Sequence, residues 1–540
     1  MKKLWILSLI FVLCGATVFA RGAGQRQSTG QTAVGNQLTI SYGTKPNLDP
    51  HWNAGSSGVQ IMQLLYEGLY RYNETSFEFA GAEGVTVSPD GLTWTFTLRR
   101  ESRWSDGQPV TAAHYVYSMK RLVDPAIGTT YMKDYGQFLK NGLKIAEGQL
   151  PLSQLGVRAI DDYTLEIQLE NVCSFFDAIL CYTTFYPMRE EFVQEDGTGY
   201  WAWDVSRMVT NGSMKMVSCN EMEEIVLEKS TTYWDRANIN LDRLVIKLLD
   251  DDNTRLALFN TNQVDMIFNF PSEEVIALNR QGYYHTVPRL MSGFLLLNNN
   301  KAPLSDPRVR RALALSFDRD YLCNTLLNNT KIPATTFIGR GFPGSVPGRD
   351  FYSESPAMVS YNPDEARRLL AEAGFPGGRG IPVIEITYAN NPDSNTIFEY
   401  LQSIWRQELG IETTITSMEP AAMTPLRDEG RFDITPQNWG ADYFDVSNML
   451  SIFAPGNLIN AGRYENPAFT SAYNQSLTTV NNAERIGLLH EAERLIIQQD
   501  TGIIPLYYWV SPYIFRDSVV TNVIYDSNST VMFSKVIVRK

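Results

Sequence analysis

Histidine is scarce: His51, His114, His285 and His490 are the only four in 540 residues, and no two stand near each other. That leaves little of the imidazole chemistry on which many hydrolases and metal sites depend. No HExxH helix, GxSxG elbow, EF-hand loop or phosphate-cradling P-loop can be read anywhere, so motif-borne catalysis and nucleotide hydrolysis are not expected of this chain. Positive charge is also short. The 46 Lys and Arg against 59 Asp and Glu give a formal net charge of -13, and no basic patch stands out, so nucleic acid is not expected as a partner. The five cysteines show no zinc spacing, and the one close pair, Cys173 and Cys181, is too far apart for a CxxC redox motif. Beyond the first 20 residues no stretch approaches 18 uninterrupted apolar residues, which argues against a spanning helix. The acid runs Asp250-Asp251-Asp252 and Glu190-Glu191 read as solvated edges rather than as paired carboxylates for hydrolysis.

What is present is a long globular chain, 44% apolar and 19% charged, able to bury several cores. Its 10 Trp, 27 Tyr and 26 Phe fit either large cores or a ring-lined cavity. The start of the chain points to export. Lys2 and Lys3 precede an apolar run over residues 4–18, and Val18-Phe19-Ala20 puts small residues where a signal peptidase reads them. Removing residues 1–20 would take the net charge to about -15. Cys14 offers a competing reading as a lipidated residue, against which stands the bulky Leu13 at the position that should be small. Residues 21–36, rich in Gly, Gln, Ser and Thr, then form a flexible leader. Cys173, Cys181, Cys219 and Cys323 remain after cleavage; four cysteines allow three pairings, and buried free thiols or one local bridge fit the sequence.

Strand and helix signals alternate along the chain. Residues 92–98, LTWTFTL, alternate apolar and polar behind the turn Pro89-Asp90-Gly91, as in a strand with one buried face. Thr111 caps an amphipathic helix over residues 112–122 that stops before Asp124-Pro125. Asn362-Pro363-Asp364-Glu365 opens another, closed by Gly374, with Ala366, Leu369, Leu370 and Ala373 on its buried stripe. Helices over 305–316, 396–409 and 482–499 interleave with strands over 244–249, 383–388 and 411–416. The pattern predicts an α/β or α+β chain of at least two lobes joined by tight crossings. An exported chain of this class without visible catalytic hardware suggests binding.

Several motifs then carry a resemblance. SPDGLTWTFTLRRESRWSDGQPVTAAHYVYSMKRLVDP (residues 88–125), preceded by Asp49-Pro50-His51 and Tyr66-Glu67-Gly68-Leu69, resembles the N-terminal part of the oligopeptide-binding proteins of ABC importers, the family 5 solute-binding proteins. NGSMKM (211–216), IVLEKSTTYWD (225–235), LNNNKAPLSDPRVRRALALSFDRD (297–320), YNPDEARRLLAEAGF (361–375), FDITPQNWGADY (432–443) and IIPLYYWV (503–510) are similar to that family in order and spacing. The resemblance implies an α/β fold of the periplasmic binding protein kind, with two large lobes around a ligand cleft and an additional domain. Domain I would comprise residues 37–66, 188–288 and 508–540, domain II residues 67–187 and domain III residues 289–507.

It also implies a periplasmic, monomeric, non-enzymatic binder without cofactor or metal. Such a protein delivers short peptides to an ABC permease whose ATPase subunits are other chains. A cleft that accepts varied peptides must recognise what they share, namely backbone amides and carbonyls and an α-ammonium. Carried over by position, the ammonium partner is Asp442, Asn438, Trp439 and Gly440 offer one backbone edge and wall, and Ala54, Gly55 and Ser56 the opposite edge. Tyr131, Phe268, Asn269 and Trp509 match pocket positions, and Arg427 is the candidate for the ligand carboxylate. Pro436, Pro420 and Ser394 depart from the family pattern where an arginine, a tryptophan and a histidine meet ligand, which leaves peptide length open. Alternatives are a non-peptide solute (a nickel complex, haem or a sugar) in the same fold, or an envelope chaperone or adhesin.

Overall fold

The computed structural model describes residues 35–43, 46–52, 56–193, 199–220, 223–457 and 459–539. The signal peptide, Cys14 and all but the last two residues of the leader, as well as Ala54 and Gly55, lie outside the described residues. Residues from Asn36 onward form one compact unit.

Its spine is a mixed eleven-stranded sheet. In order across it run Thr413–Met418, Ile384–Ala389, Ile434–Gly440, Tyr284–Leu297, Ile503–Phe515, Met266–Ile267, Gln37–Tyr42, Arg243–Leu248, Glu224–Lys229 and Met214–Asn220, with Lys331–Pro333 added to Ile503–Phe515. Parallel pairs need a crossover long enough to return the chain. At one end helix Pro392–Leu409 carries Ile384–Ala389 into parallel Thr413–Met418; at the other, helix Asp252–Asn260 separates Arg243–Leu248 from Met266–Ile267, both parallel to Gln37–Tyr42. The middle is antiparallel. Tyr284–Leu297 and Ile503–Phe515 pair from Tyr284↔Ile514 to Leu296↔Ile503, with register breaks between Pro288 and Ser292 and between Gly293 and Phe294.

A separate antiparallel sheet of four strands, in the order Ala82–Val87, Thr93–Leu98, Thr164–Gln168 and Val157–Asp161, carries one apolar face. The expected alternation is realised there: Trp94, Phe96 and Leu98 are buried. Helix Ala112–Val123 contributes the buried Tyr115, Met119 and Leu122 to the same core and starts as predicted, the Thr111 amide donating to His114 Nδ1 at 3.0 Å.

Local rules account for the other helix starts. Asn362 Oδ1 accepts from the Glu365 amide at 3.1 Å and Pro363 follows, opening Pro363–Glu372, whose Ala366 and Leu370 are buried while Leu369 and Ala373 are half-buried. Helix Pro392–Leu409 begins a turn before the expected 396, because Asn391 accepts from the Ser394 amide at 2.9 Å with Pro392 at the first position. The helix expected over 482–499 is α-helical over Asn482–Arg494 and widens to a π-turn over Leu495–Gln499. Cys173, Cys181 and Cys323 are buried free thiols, and Cys219 is half-buried. Burial pushes the first three up, Cys323 to about 12, which leaves them as packing groups rather than nucleophiles.

One buried polar knot anchors the segments that frame the site. Arg121 Nη2 pairs with Asp49 Oδ2 at 2.8 Å, and Trp201 Nε1 donates to the same oxygen at 2.7 Å. His51 lies against Arg121, with Nδ1 at 2.9 Å from Nη1, and its pKa is lowered to about 3, first by burial and then by that guanidinium. The neutral ring fits a structural role, and the His51 carbonyl accepts from the Thr130 amide at 3.1 Å, fixing the start of the turn that carries Tyr131.

Candidate functional site

A cavity of about 510 Å³ lies where the carboxyl end of Gln37–Tyr42, the first turns of helix Ser56–Leu65 and the ends of three central strands converge. Its polar wall is Arg289-Leu290-Met291 alongside Gly440-Ala441-Asp442, and its aromatic wall is Tyr42, Phe268, Tyr513, Tyr131 and Tyr182. The rings hold each other in place: Phe268 stacks on Tyr42 with centroids 5.1 Å apart and meets Tyr513 edge-on at 5.6 Å, while Tyr131 meets Tyr182 edge-on at 5.7 Å.

Asp442 follows the end of strand Ile434–Gly440 and is exposed in this cavity. Its amide donates to Asn448 Oδ1 at 3.0 Å, and no cation among the described residues pairs with its carboxylate. The carboxyl pKa is raised by loss of surrounding water, an effect offset in part by the hydrogen bond of Asn448 and reinforced by the charge of Asp134. An acid in this state gains from any cation delivered to it.

The strand leading to Asp442 has one claimed and one open edge. Ile434–Gly440 pairs with Met291–Leu297 along its whole length, whereas on its other side the register with Ile384–Ala389 consists of Ile434↔Ile386 alone. Beyond that pair, no strand among the described residues takes the edge leading to Gly440, and a free edge is a template for an added extended chain.

Of the residues singled out from the sequence, Asp442, Gly440, Tyr131, Phe268 and Asn269 line this one cavity. Asn438 and Trp509 sit nearby and satisfy each other, the indole Nε1 donating to Asn438 Oδ1 at 3.0 Å, with the Lys331 ammonium 4.2 Å from the Trp509 ring centroid. Trp439 packs against the main core, its indole nitrogen buried without a partner. Arg427, on helix Pro420–Asp428, donates to Gln437 Oε1 at 2.8 Å and to Asp428 at 3.2 Å, and is not among the cavity residues. Ser56 begins helix Ser56–Leu65, and its neighbour Ser57 lines the cavity.

Sequence reasoning missed Arg289, Met291, the Ser511–Tyr513 wall and Asn528-Ser529-Thr530. Arg289 lies inside the register break of its strand, where the period-two pattern that would assign it a face is interrupted. Among the described residues no group of three His, Cys, Asp or Glu side chains is placed to hold a metal ion, and no helix is long and apolar enough to cross a membrane.

Comparison with known proteins agrees with this geometry. The chain is 30% identical to the periplasmic oligopeptide-binding protein OppA of Escherichia coli strain K12 over 86% of its own length and 85% of the relative. It superposes on the unliganded open form of the murein tripeptide-binding protein MppA with a TM-score of 0.82 at 25% identity, covering 94% of this chain and 98% of that one. On Listeria monocytogenes OppA bound to peptide the TM-score is 0.70, at 25% identity over 94% and 99%. The family description "bacterial extracellular solute-binding proteins, family 5 Middle" matches residues 77–460. Fold, open strand edge and sequence thus meet in one assignment: the chain belongs to the family 5 extracellular solute-binding proteins.

Proposed function

We propose that this protein captures short peptides in the cavity beneath Asp442 and hands them to an ABC permease energised by ATPase subunits on other chains. The observation that carries the reading is the unpaired Asp442 carboxylate at the end of an unclaimed strand edge, in a cavity of about 510 Å³. The edge suits backbone amides of any sequence, and the carboxylate suits the α-ammonium with which every unmodified peptide starts. Its oligopeptide-binding relatives support the same assignment.

In this reading export follows cleavage after Ala20, and Cys14 leaves with the signal. The lobes divide near 288–289 and 507–508, a partition favoured by the register break between Pro288 and Ser292 in the two long strands that cross there. Domain II is the region containing the four-stranded sheet.

The test is calorimetry with a tetrapeptide in free and N-acetylated form. Asp442→Asn should weaken the free-amine peptide at least tenfold, and acetylation should cost the parent as much but the variant little, since either change removes one side of the same charge pair. Unaltered affinity in Asp442→Asn, or equal affinity of the parent for both peptides, would count against it. Native mass spectrometry of protein purified without refolding separates a peptide from a nickel complex, haem or sugar by the mass it carries.

A further inference from the structure

Besides its unpaired carboxylate, the cavity holds an unpaired cation. Arg289 is the one guanidinium among the described lining residues, it is exposed there, and no carboxylate among the described residues lies within ion-pair distance of it. Its place relative to Asp442 follows from the strand register. Met291 is paired with Gly440, and one step on the Ala441 amide donates to the Leu290 carbonyl at 2.9 Å. Continuing the same count sets Arg289 across from Asp442, on the adjacent strand and beyond the last formal pair. Both side chains line the same cavity, and neither is paired with the other.

The consequence appears when the cavity fills. Water that solvates both groups is displaced, and a charge stripped of water without a counter-charge is costly. The α-ammonium of a peptide answers Asp442 and does nothing for Arg289. The neighbouring Tyr513 does not serve either, because burial raises its phenol pKa and keeps it neutral. The Arg289 guanidinium already has its pKa lowered by lost hydration, so it gains from an anion.

Resting on the peptide reading above, we propose that Arg289 makes this a selector of peptides carrying a carboxylate close to their α-ammonium. Two ligands present that chemistry: an acidic side chain in the first two positions, or the α-carboxylate of a dipeptide. A guanidinium recognises either through paired N–H donors.

The test titrates the full chain and its Arg289→Gln and Arg289→Lys variants with four probes: Glu-Ala-Ala-Ala, Gln-Ala-Ala-Ala, Ala-Ala and Ala-Ala amide. The parent should favour the carboxylate member of at least one pair on the order of tenfold. Which pair responds tells the side-chain source from the α-carboxylate source. Arg289→Gln should erase the preference, bringing the ratio within each pair to about one, and Arg289→Lys should keep part of it, as a point charge does. Parent ratios near one in both pairs, or a ratio that survives in Arg289→Gln, overturn the proposal. Those results leave peptide capture standing as long as Gln-Ala-Ala-Ala still binds. Failure of all four probes overturns both readings. Because Arg289 is exposed, unchanged thermal midpoints establish that the variants are folded.

Discussion

Individual side chains in this molecule carry charge states set by where the helices and strands place them. Glu493, on helix Asn482–Arg494, is fully buried; Oε1 accepts from the Ile338 amide at 2.8 Å and Oε2 has no partner. Burial pushes its carboxyl up to about 8 against the pull of two backbone hydrogen bonds. The folded protein therefore holds a proton that the unfolded chain, with an ordinary value of 4.5, releases first. Stability from this residue is complete below about 4.5 and is lost as the pH rises through about 8. Glu493→Gln, which is always neutral, should melt close to the parent at pH 5 and above it at pH 8 to 9; a difference in midpoint that stays flat across that range would refute the assignment. Glu493 also marks what could be read in advance. It lies on the same stripe as the buried Ile486 and Leu489, so helical spacing places it inward, but an acid invites a surface reading. Asp442 was legible only through the motif around it, and Arg289 not at all, because its partner position belongs to a strand about 150 residues away.

Elements with their own start and stop chemistry were read well. The Asn362-Pro363 cap, the Thr111 start and the alternation from Thr93 to Leu98 each depend on contacts within a few residues. The strand assembly around the site depends on distant pairing, and two glycines in it are there for different reasons. A Cβ on Gly293 would fall 2.3 Å from the Tyr507 ring, so the paired strands themselves require glycine. A Cβ on Gly440 would meet nothing nearer than Met291 Cγ at 3.5 Å, an ordinary contact, and would project at the rim of the cavity. Packing gives Gly440 no reason to be glycine; in the proposed reading, close approach by a bound backbone would supply one. Gly293→Ala should lower stability by about 1–3 kcal/mol in denaturant titration, the usual cost of overpacking. Gly440→Ala should stay within about 0.5 kcal/mol of the parent yet weaken peptide binding measurably. Loss of stability without loss of affinity at Gly440 would reverse the roles and place its function in the fold.

At the scale of the whole chain, the main core cluster runs from Leu38 to Val536, with a smaller one of Phe259, Val264, Ile267, Leu278 and Ile514 beside it, yet the sheet is interrupted where its two longest strands change register, between Pro288 and Ser292. Ladder hydrogen bonds resist bending, and a break in them concentrates whatever bending occurs. The TM-score is 0.82 to a relative in its unliganded open form and 0.70 to one bound to peptide. Both comparisons stand at 25% identity, and the higher score is to the unliganded open form. In the reading proposed above, closure would be driven by contacts that exist only when ligand touches both sides, Asp442, Gly440 and Arg289 on one and Tyr42, Phe268 and Asn269 on another. Small-angle X-ray scattering should therefore show a smaller radius of gyration when a saturating free-amine peptide is added to the parent. Asp442→Asn at the same peptide concentration should retain the larger value, because the anchor that lets a ligand bridge the two sides is missing. A parent radius that does not move at saturation, with binding verified by calorimetry on the same sample, would mean that the cavity recognises peptide without bending at the register break, and that the permease must read some other signal of occupancy.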